Sequence, residues 1–376
     1  MKRIYFDNAA TTPLDAEVLV VMNDILKNHF GNPSSVHAPG REARTIIEES
    51  RKTVSKLLNC SPGELFFTSC GTESDNMAIR KSVDDLGVKN IITSKIEHHA
   101  VLHTIDELGK QGRIQKHFVN LFADGQVDHD QLEKLLKENT KVLVSLMHVN
   151  NEIGNLLNLE RVGGLCKKYH ALFHSDTVQS IGNFPIDLQK INVDFICGSA
   201  HKFNGPKGTG FIYIRSKNKI SPFITGGAQE RNMRAGTENT AGIAGLAKAM
   251  EISYRDLEEN KKHCSELKSY LKSKLEEKIH GINFNGDTGE NSSYKILNVL
   301  FPATPVAEMF LYKLDMEGIA VSGGSACASG SNIGSHVLTA LCADPSRPAV
   351  RFSFGKQNTV EEVDFVVEKI VEMFKV

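Results

Sequence analysis

The sequence predicts an α/β fold built on a mainly parallel sheet with helices on both faces. Between residues 41 and 199, short apolar runs alternate with stretches of helical period, the pattern of strands joined by crossover helices. Several of those runs are continuously apolar rather than alternating, as strands buried on both faces must be. Polar residues able to do chemistry follow the runs, and in open α/β sheets ligands bind beyond the carboxyl ends of the strands.

REARTIIEESRKTVSKLL, 41–58, sets Ile46, Ile47, Val54, Leu57 and Leu58 on one face of a helix. ELFFTS and NIITS (90–94) read as strands, and a helix is expected over 100–111. IQKHFVN, the helical DQLEKLLKEN and the strand KVLVSLM (141–147) continue the alternation. A helix over 159–169 precedes the strands ALFHSD (171–176) and VDFICGS (193–199). From about 240 to 280 the chain turns helical and charged, which suggests one long connecting helix into a second unit. The segment 291–376 is broken by Pro and Gly and reads as a smaller α+β region. The expected division is a large domain over 13–255 and a small domain made of 1–12 and 256–376.

Composition narrows the function classes. With 40% hydrophobic and 24% charged residues and a formal net charge of −1, the 376-residue chain has no field that favours nucleic acid or an anionic membrane. No apolar stretch reaches signal-peptide or membrane-span length, so the cytoplasm is the expected compartment. Seven cysteines, at 60, 70, 166, 197, 264, 327 and 342, are scattered and form no C-x-x-C pair. That argues against a disulfide framework and a zinc site, and no bound metal is expected.

The chemistry gathers after the strands. In CGTESDNMAI, Gly71 and Thr72 open a helical pattern, and Thr72 with Asp75 has capping-box spacing. Either this is an ordinary cap, or backbone N–H groups and the Thr72 hydroxyl hold a phosphate at the helix N-terminus. KIEHHAV puts His98 and His99 just past NIITS, and MHVNNEIGN is a similar polar loop after KVLVSLM. HSDTVQS supplies Asp176 at a strand end and Gln179 three residues later; a buried aspartate needs a cation or good donors, unless it caps a helix. GSAHKFNGPKGTG, 198–210, delivers Lys202 from a strand into a turn broken by glycine and proline. Together these groups ask for a planar, protonated heterocycle that carries a phosphate and is held by a lysine. That ligand is pyridoxal phosphate, with Lys202 binding it covalently, Asp176 keeping its ring nitrogen protonated and Thr72 in the phosphate cradle.

One cysteine is not explained by packing. SGGSACASGSNIG, 322–334, is a Gly- and Ser-rich loop that carries Cys327. Beside a pyridoxal phosphate site, it reads as a thiolate nucleophile that attacks a soft, cofactor-activated atom, the sulfur of a cysteine substrate.

The motifs YFDNAATTP, FGNPSSVHAPGREA, FTSCGTESDN, EHHAV, MHVNNEIG, HSDTVQSIG, SAHKFNGPKGTG, GGAQERNMRAGTEN, SGGSAC and VRFSFG span nearly the whole chain. In their order and spacing the sequence resembles the cysteine desulfurases of the NifS/IscS type, in the class V branch of fold-type I pyridoxal phosphate enzymes. The resemblance implies a seven-stranded, mainly parallel sheet in the large domain and a catalytic Cys loop in the small one. It implies that Lys202 binds the cofactor, that His98 stacks on the ring and assists proton transfer, and that Asp176 faces the ring nitrogen. Gln179 and Asn151 would lie near the phenolic oxygen. Gly71, Thr72, Ser199 and His201 would hold the phosphate, with Thr237 reaching across from the second subunit of a homodimer. Asn32 and Arg351 would grip the substrate carboxylate, for which a guanidinium fork is suited. The implied activity removes sulfur from L-cysteine, leaving L-alanine and a persulfide on Cys327. The acceptor would be an iron–sulfur cluster scaffold or a tRNA-thiolation protein. VSGGSAC departs slightly from the usual form of its motif, with Gly324 expected to loosen the loop. Selenocysteine lyase activity stays open beside desulfuration, because selenium leaves more easily than sulfur.

Overall fold

The computed structural model describes residues 3–305, 307–323 and 334–374; Cys327 and Gly324 lie outside them. In chain order the strands are β1 (Ile4–Tyr5), β2 (Leu65–Thr68), β3 (Asn90–Thr93), β4 (Gln115–Phe118), β5 (Val142–Ser145), β6 (Leu172–Asp176), β7 (Phe195–Ser199), β8 (Gly210–Ile214), β9 (Asn283–Asn285), β10 (Ile296–Leu300), β11 (Ile319–Ala320) and β12 (Ala349–Ser353). The large sheet has seven strands in the order β2-β8-β7-β6-β5-β3-β4. Only β8 runs antiparallel to its neighbours; every other pairing is parallel. The expected α/β architecture with a mainly parallel sheet is therefore present.

Successive residues of a strand face opposite sides, and each side carries its own core. Ile92, Val142 and Val144 join Val54, Leu132, Leu136 and Val162 from helices on one face. Their neighbours Ile91 and Leu143 join Ile79, Val83, Val101, Ile105 and Leu108 on the other. Burying an apolar side chain of this size contributes about 1.5–3 kcal/mol, so both faces need their helices. This is why β5, VLVS, and β8, GFIYI, are buried at every position. The edge strand β4, QKHF, has its first two residues exposed, and its polar side chains fit an unpaired edge.

A second core forms from the chain's two ends. β12, β10 and β9 make an antiparallel three-stranded sheet, and β1 pairs in parallel with β11. Leu267, Leu271 and Leu275 of helix Leu257–Lys278 and Val363, Val366 and Ile370 of helix Val360–Met373 pack there with Leu297, Val299, Val350 and Phe352. Ile4 and Phe6 join the same cluster.

The single long helix expected over about 240–280 is two helices, Thr240–Arg255 and Leu257–Lys278. Asp256 separates them at φ −98° and ψ 13°. The physical reason is that each half buries its apolar face in a different core: Ile243, Leu246 and Met250 in the large one, Leu267 and Leu271 in the small one. No helix among the described residues is long and apolar enough to cross a membrane.

Candidate active site

One cavity lies beyond the carboxyl ends of β2, β3, β5, β6 and β7. Gly71, Thr72, His98, Asn151, Asp176, Gln179, Ser199, His201, Lys202 and Arg351 line it together. Two of the sequence-derived candidates are not part of that lining, and a third falls outside the described residues. Asn32 is exposed and its side chain accepts from Ser34 N–H at 2.9 Å. Thr237 is exposed in a neighbouring cleft lined by Phe67, Thr68 and Ser69. Cys327 lies outside the described residues.

Lys202 leaves β7 through a short 3-10 turn, Ala200–Lys202, and its Nζ donates to the carbonyls of Ala9 (2.7 Å) and Ala10 (2.8 Å). Gln179 Nε2 donates to the same Ala9 carbonyl at 2.8 Å. The stretch after β1 therefore forms one wall of the cavity. Thr11 of that stretch meets His201 Nδ1 at 3.1 Å. Burial, followed by the charges of Lys202 and Lys207, pushes the His201 imidazole down to about 4, so it is neutral at physiological pH.

Asp176 is 7% exposed at the end of β6. Burial, then the nearby Asp75 carboxylate, pushes its acid up to about 6, against the opposing influence of His98. A buried carboxyl raised in this way is stabilised by any cation brought to it. His98 caps helix His99–Lys110, with Nδ1 accepting Ala100 N–H at 3.2 Å, and burial holds its imidazole below the usual range.

Of the two readings left open at Thr72 and Asp75, the ordinary side-chain cap does not form. Helix Gly71–Asp84 starts after Cys70, which supplies no side-chain cap. Asp75 instead points inward, where it accepts from Cys197 Sγ at 2.9 Å and lies 3.3 Å from His174 Nε2. The core claims that carboxylate, and the helix N-terminus is left open toward the cavity. Glu73 reaches back to Ser69 N–H at 2.9 Å, which steadies the turn without filling it.

These features fit a bound pyridoxal phosphate. Ser199 Oγ is buried with no hydrogen-bond partner and lines the cavity, a polar atom awaiting an acceptor or donor. A Cβ at Gly71 would approach Val178 Cγ2 to 2.5 Å, so only glycine lets the backbone come this close to the cradle. An open helix N-terminus attracts an anion, and the raised Asp176 suits a protonated ring nitrogen.

Arg351 comes from the second core. It is 1% exposed in β12, with Nη1 donating to the Asn151 carbonyl (2.8 Å) and Nη2 to Asp7 Oδ1 (2.7 Å). Its buried Nε has no partner. Ser322 Oγ donates to the same Asp7 oxygen at 2.9 Å. Sequence reasoning gave no role to Asp7, Ala9 or Ala10, although YFDNAATTP stood out as a motif: Ala9 and Ala10 act through backbone carbonyls, which leave no side-chain signal, and the partner of the Asp7 carboxylate is 344 positions away.

The class V aminotransferase family model matches residues 4–366. Cysteine desulfurase IscS of Dictyoglomus turgidum is 43% identical, with 100% of this chain and 96% of the relative covered. A solved NifS-like protein is 40% identical with a TM-score of 0.92, covering 100% of both chains. A solved structure described as SspA in complex with cysteine is 30% identical, with a TM-score of 0.83, 95% of this chain and 100% of that one covered. The chain belongs to the class V aminotransferase family, whose members use pyridoxal phosphate, and within it to the IscS/NifS cysteine desulfurases.

Proposed function

We propose that this protein removes sulfur from L-cysteine, releases L-alanine and carries the sulfur as a persulfide on Cys327. The observation that carries the reading is the convergence of Lys202, Asp176, His98 and an open helix N-terminus on one cavity. A relative of 30% identity solved with cysteine supports the choice of substrate. When bound, pyridoxal phosphate supplies the electron sink that makes the substrate Cα–H acidic. Gly71, Thr72, Ser199 and His201 would hold its phosphate, and Asp176 would stabilise a protonated ring nitrogen. His98 would pack against the ring and assist proton transfer, and Gln179 and Asn151 would serve its phenolic oxygen. Lys202 anchors the cofactor, and its amine then moves the Cα proton. Arg351 and Asn32 take the substrate carboxylate.

The Cys327 thiolate attacks the substrate sulfur. The new S–S bond forms as the Cβ–S bond breaks, with the electron pair leaving on the carbon side and ending, after protonation, in the methyl group of alanine. Cysteine and thiol thus become alanine and persulfide with no external oxidant. The sulfur passes to an acceptor protein, an iron–sulfur scaffold or a tRNA-thiolation partner, in the cytoplasm.

The working unit is a homodimer in which Thr237 reaches the partner's phosphate site. Thr237 is exposed outside its own chain's cavity, and Leu19, Val20, Leu26, Phe30 and Val36, from 47% to 87% exposed, offer apolar surface for a second copy to cover. The two cores support domains at 13–255 and at 1–12 with 256–376.

Purified holoenzyme given L-cysteine without reductant should gain one sulfur on the Cys327 peptide, read by mass spectrometry, while alanine accumulates. Cys327→Ala should keep the cofactor's visible absorption and make no alanine. Normal turnover by that variant would sink the persulfide route.

A further inference from the structure

Glu230, Arg231 and Asn232 have φ of 45°, 56° and 65°. Three consecutive residues with a Cβ in the left-handed region form a strained run, which persists only where its surroundings over-determine it. Here the surroundings are specific. Glu230, 5% exposed, receives Arg51 Nη1 at 2.8 Å and Nη2 at 2.9 Å, and its Oε2 also accepts Phe67 N–H at 2.7 Å. Arg51, 1% exposed, donates in addition to the Leu65 carbonyl at 2.8 Å. The pair therefore occupies the open hydrogen-bonding edge of β2.

Two further links follow within four residues. Arg231 donates to the Pro62 carbonyl (2.8 Å) and to Glu48 (2.9 Å). Arg234 Nε donates to Glu73 Oε1 at 2.9 Å, and Glu73, in the first turn of the helix Gly71–Asp84, is the residue that braces Ser69 ahead of it. A buried ion pair is a poor source of net stability, so a bidentate one at a strained turn points to placement. Thr237 stands three residues beyond the last link.

We propose that Arg51 and Glu230 are positioning residues for the cofactor phosphate: they clamp the left-handed run to the edge of β2 and so set Thr237 where it meets the partner subunit's cofactor. The proposal rests on the homodimer reading above. The clamp acts through Thr237, so its loss and the loss of the Thr237 hydroxyl weaken the same contact once.

The test uses holoenzyme and reads the rate at which the visible cofactor band is lost on dilution into cofactor-free buffer containing inorganic phosphate, with sedimentation for the oligomeric state. The double variant Arg51→Met/Glu230→Leu removes both buried charges together, which avoids stranding one of them. It should remain dimeric and release cofactor roughly tenfold to a hundredfold faster, the scale of one charged hydrogen bond. Thr237→Ala should do the same, and the triple variant should be no faster than either, because the effects share one path. A general loss of stability would add to Thr237→Ala instead. Should the double variant not fold, Glu230→Gln keeps an acceptor for Phe67 and should shift release in the same direction. Wild-type release from a dimeric clamp variant, with Thr237→Ala fast, overturns the clamp alone. A monomeric protein, or slow release from Thr237→Ala, overturns the cross-subunit reading and the clamp with it.

Discussion

The two walls of the cavity differ in how their polar groups are occupied. On the large-sheet side, Ser199 Oγ has no protein partner, the helix at Gly71 has no side-chain cap and the Asp176 acid is pushed up to about 6. On the β12 side, Arg351 is already engaged through both terminal nitrogens, by Asp7 and by the Asn151 carbonyl. A phosphate arriving at the sheet wall displaces no side-chain cap. A carboxylate arriving at Arg351 would meet a guanidinium whose terminal nitrogens are shared with Asp7 and the Asn151 carbonyl and whose Nε is buried without a partner. On the function proposed above, one wall would take a resident group and the other a ligand that comes and goes.

Lys202→Ala breaks the first wall and should have the largest effect. Alanine formation should fall by at least about 10³-fold, and borohydride-treated protein should carry no cofactor mass on the peptide 198–210. A surviving adduct there would assign the cofactor to another lysine. Arg351→Ala breaks the second wall. It should lower kcat/KM for cysteine by roughly 10–100-fold, mostly through KM, while the visible cofactor band stays. Arg351→Lys should not restore it, because a point charge cannot replace the planar fork. An unchanged KM would remove Arg351 from the substrate site. Ser199→Ala sharpens the contrast with a smaller effect. Cofactor affinity should drop about 2–10-fold in titrations of cofactor-free protein, with no change in that form's melting temperature, because the hydroxyl has no protein partner to lose.

What the sequence reveals follows the same division. Burial on both faces turns KVLVSLM and VDFIC into continuous apolar runs, so the sheet and the strand-end residues Asp176 and Lys202 are legible together. The break at Asp256 is not legible, because helical period continues across it and only the two separate cores decide the turn. Asp75 shows the limit of spacing as a signal. It stands where a cap could form, but the choice between backbone and core depends on His174 and Cys197, far along the chain. Arg351 meets Asp7 across 344 positions. No local pattern marks that contact, and the role proposed for Arg351 rests on family resemblance alone.

The last probe, read in stability rather than turnover, addresses the carboxyl groups behind the sheet wall. Glu97 is 2% exposed; burial, followed by the neighbouring Asp176 and Asp75 carboxylates, pushes its acid up to about 8, although Ser94 Oγ and Met147 N–H donate to it at 2.7 and 2.9 Å. The folded protein then keeps a proton that the unfolded chain has released above its ordinary value of 4.5. Where the native state holds more protons than the unfolded one, stability falls as pH rises, here from the ordinary value up to about 8. Glu97→Gln has no such proton to lose. Its melting temperature should match the parent's near pH 5 and exceed it increasingly toward about pH 8, flattening the alkaline slope. Parallel melting curves would mean that Glu97 is ionised in the folded protein. The donors Ser94 and Met147 would then outweigh burial, and the sheet wall would carry one more negative charge behind Asp176 than its burial implies.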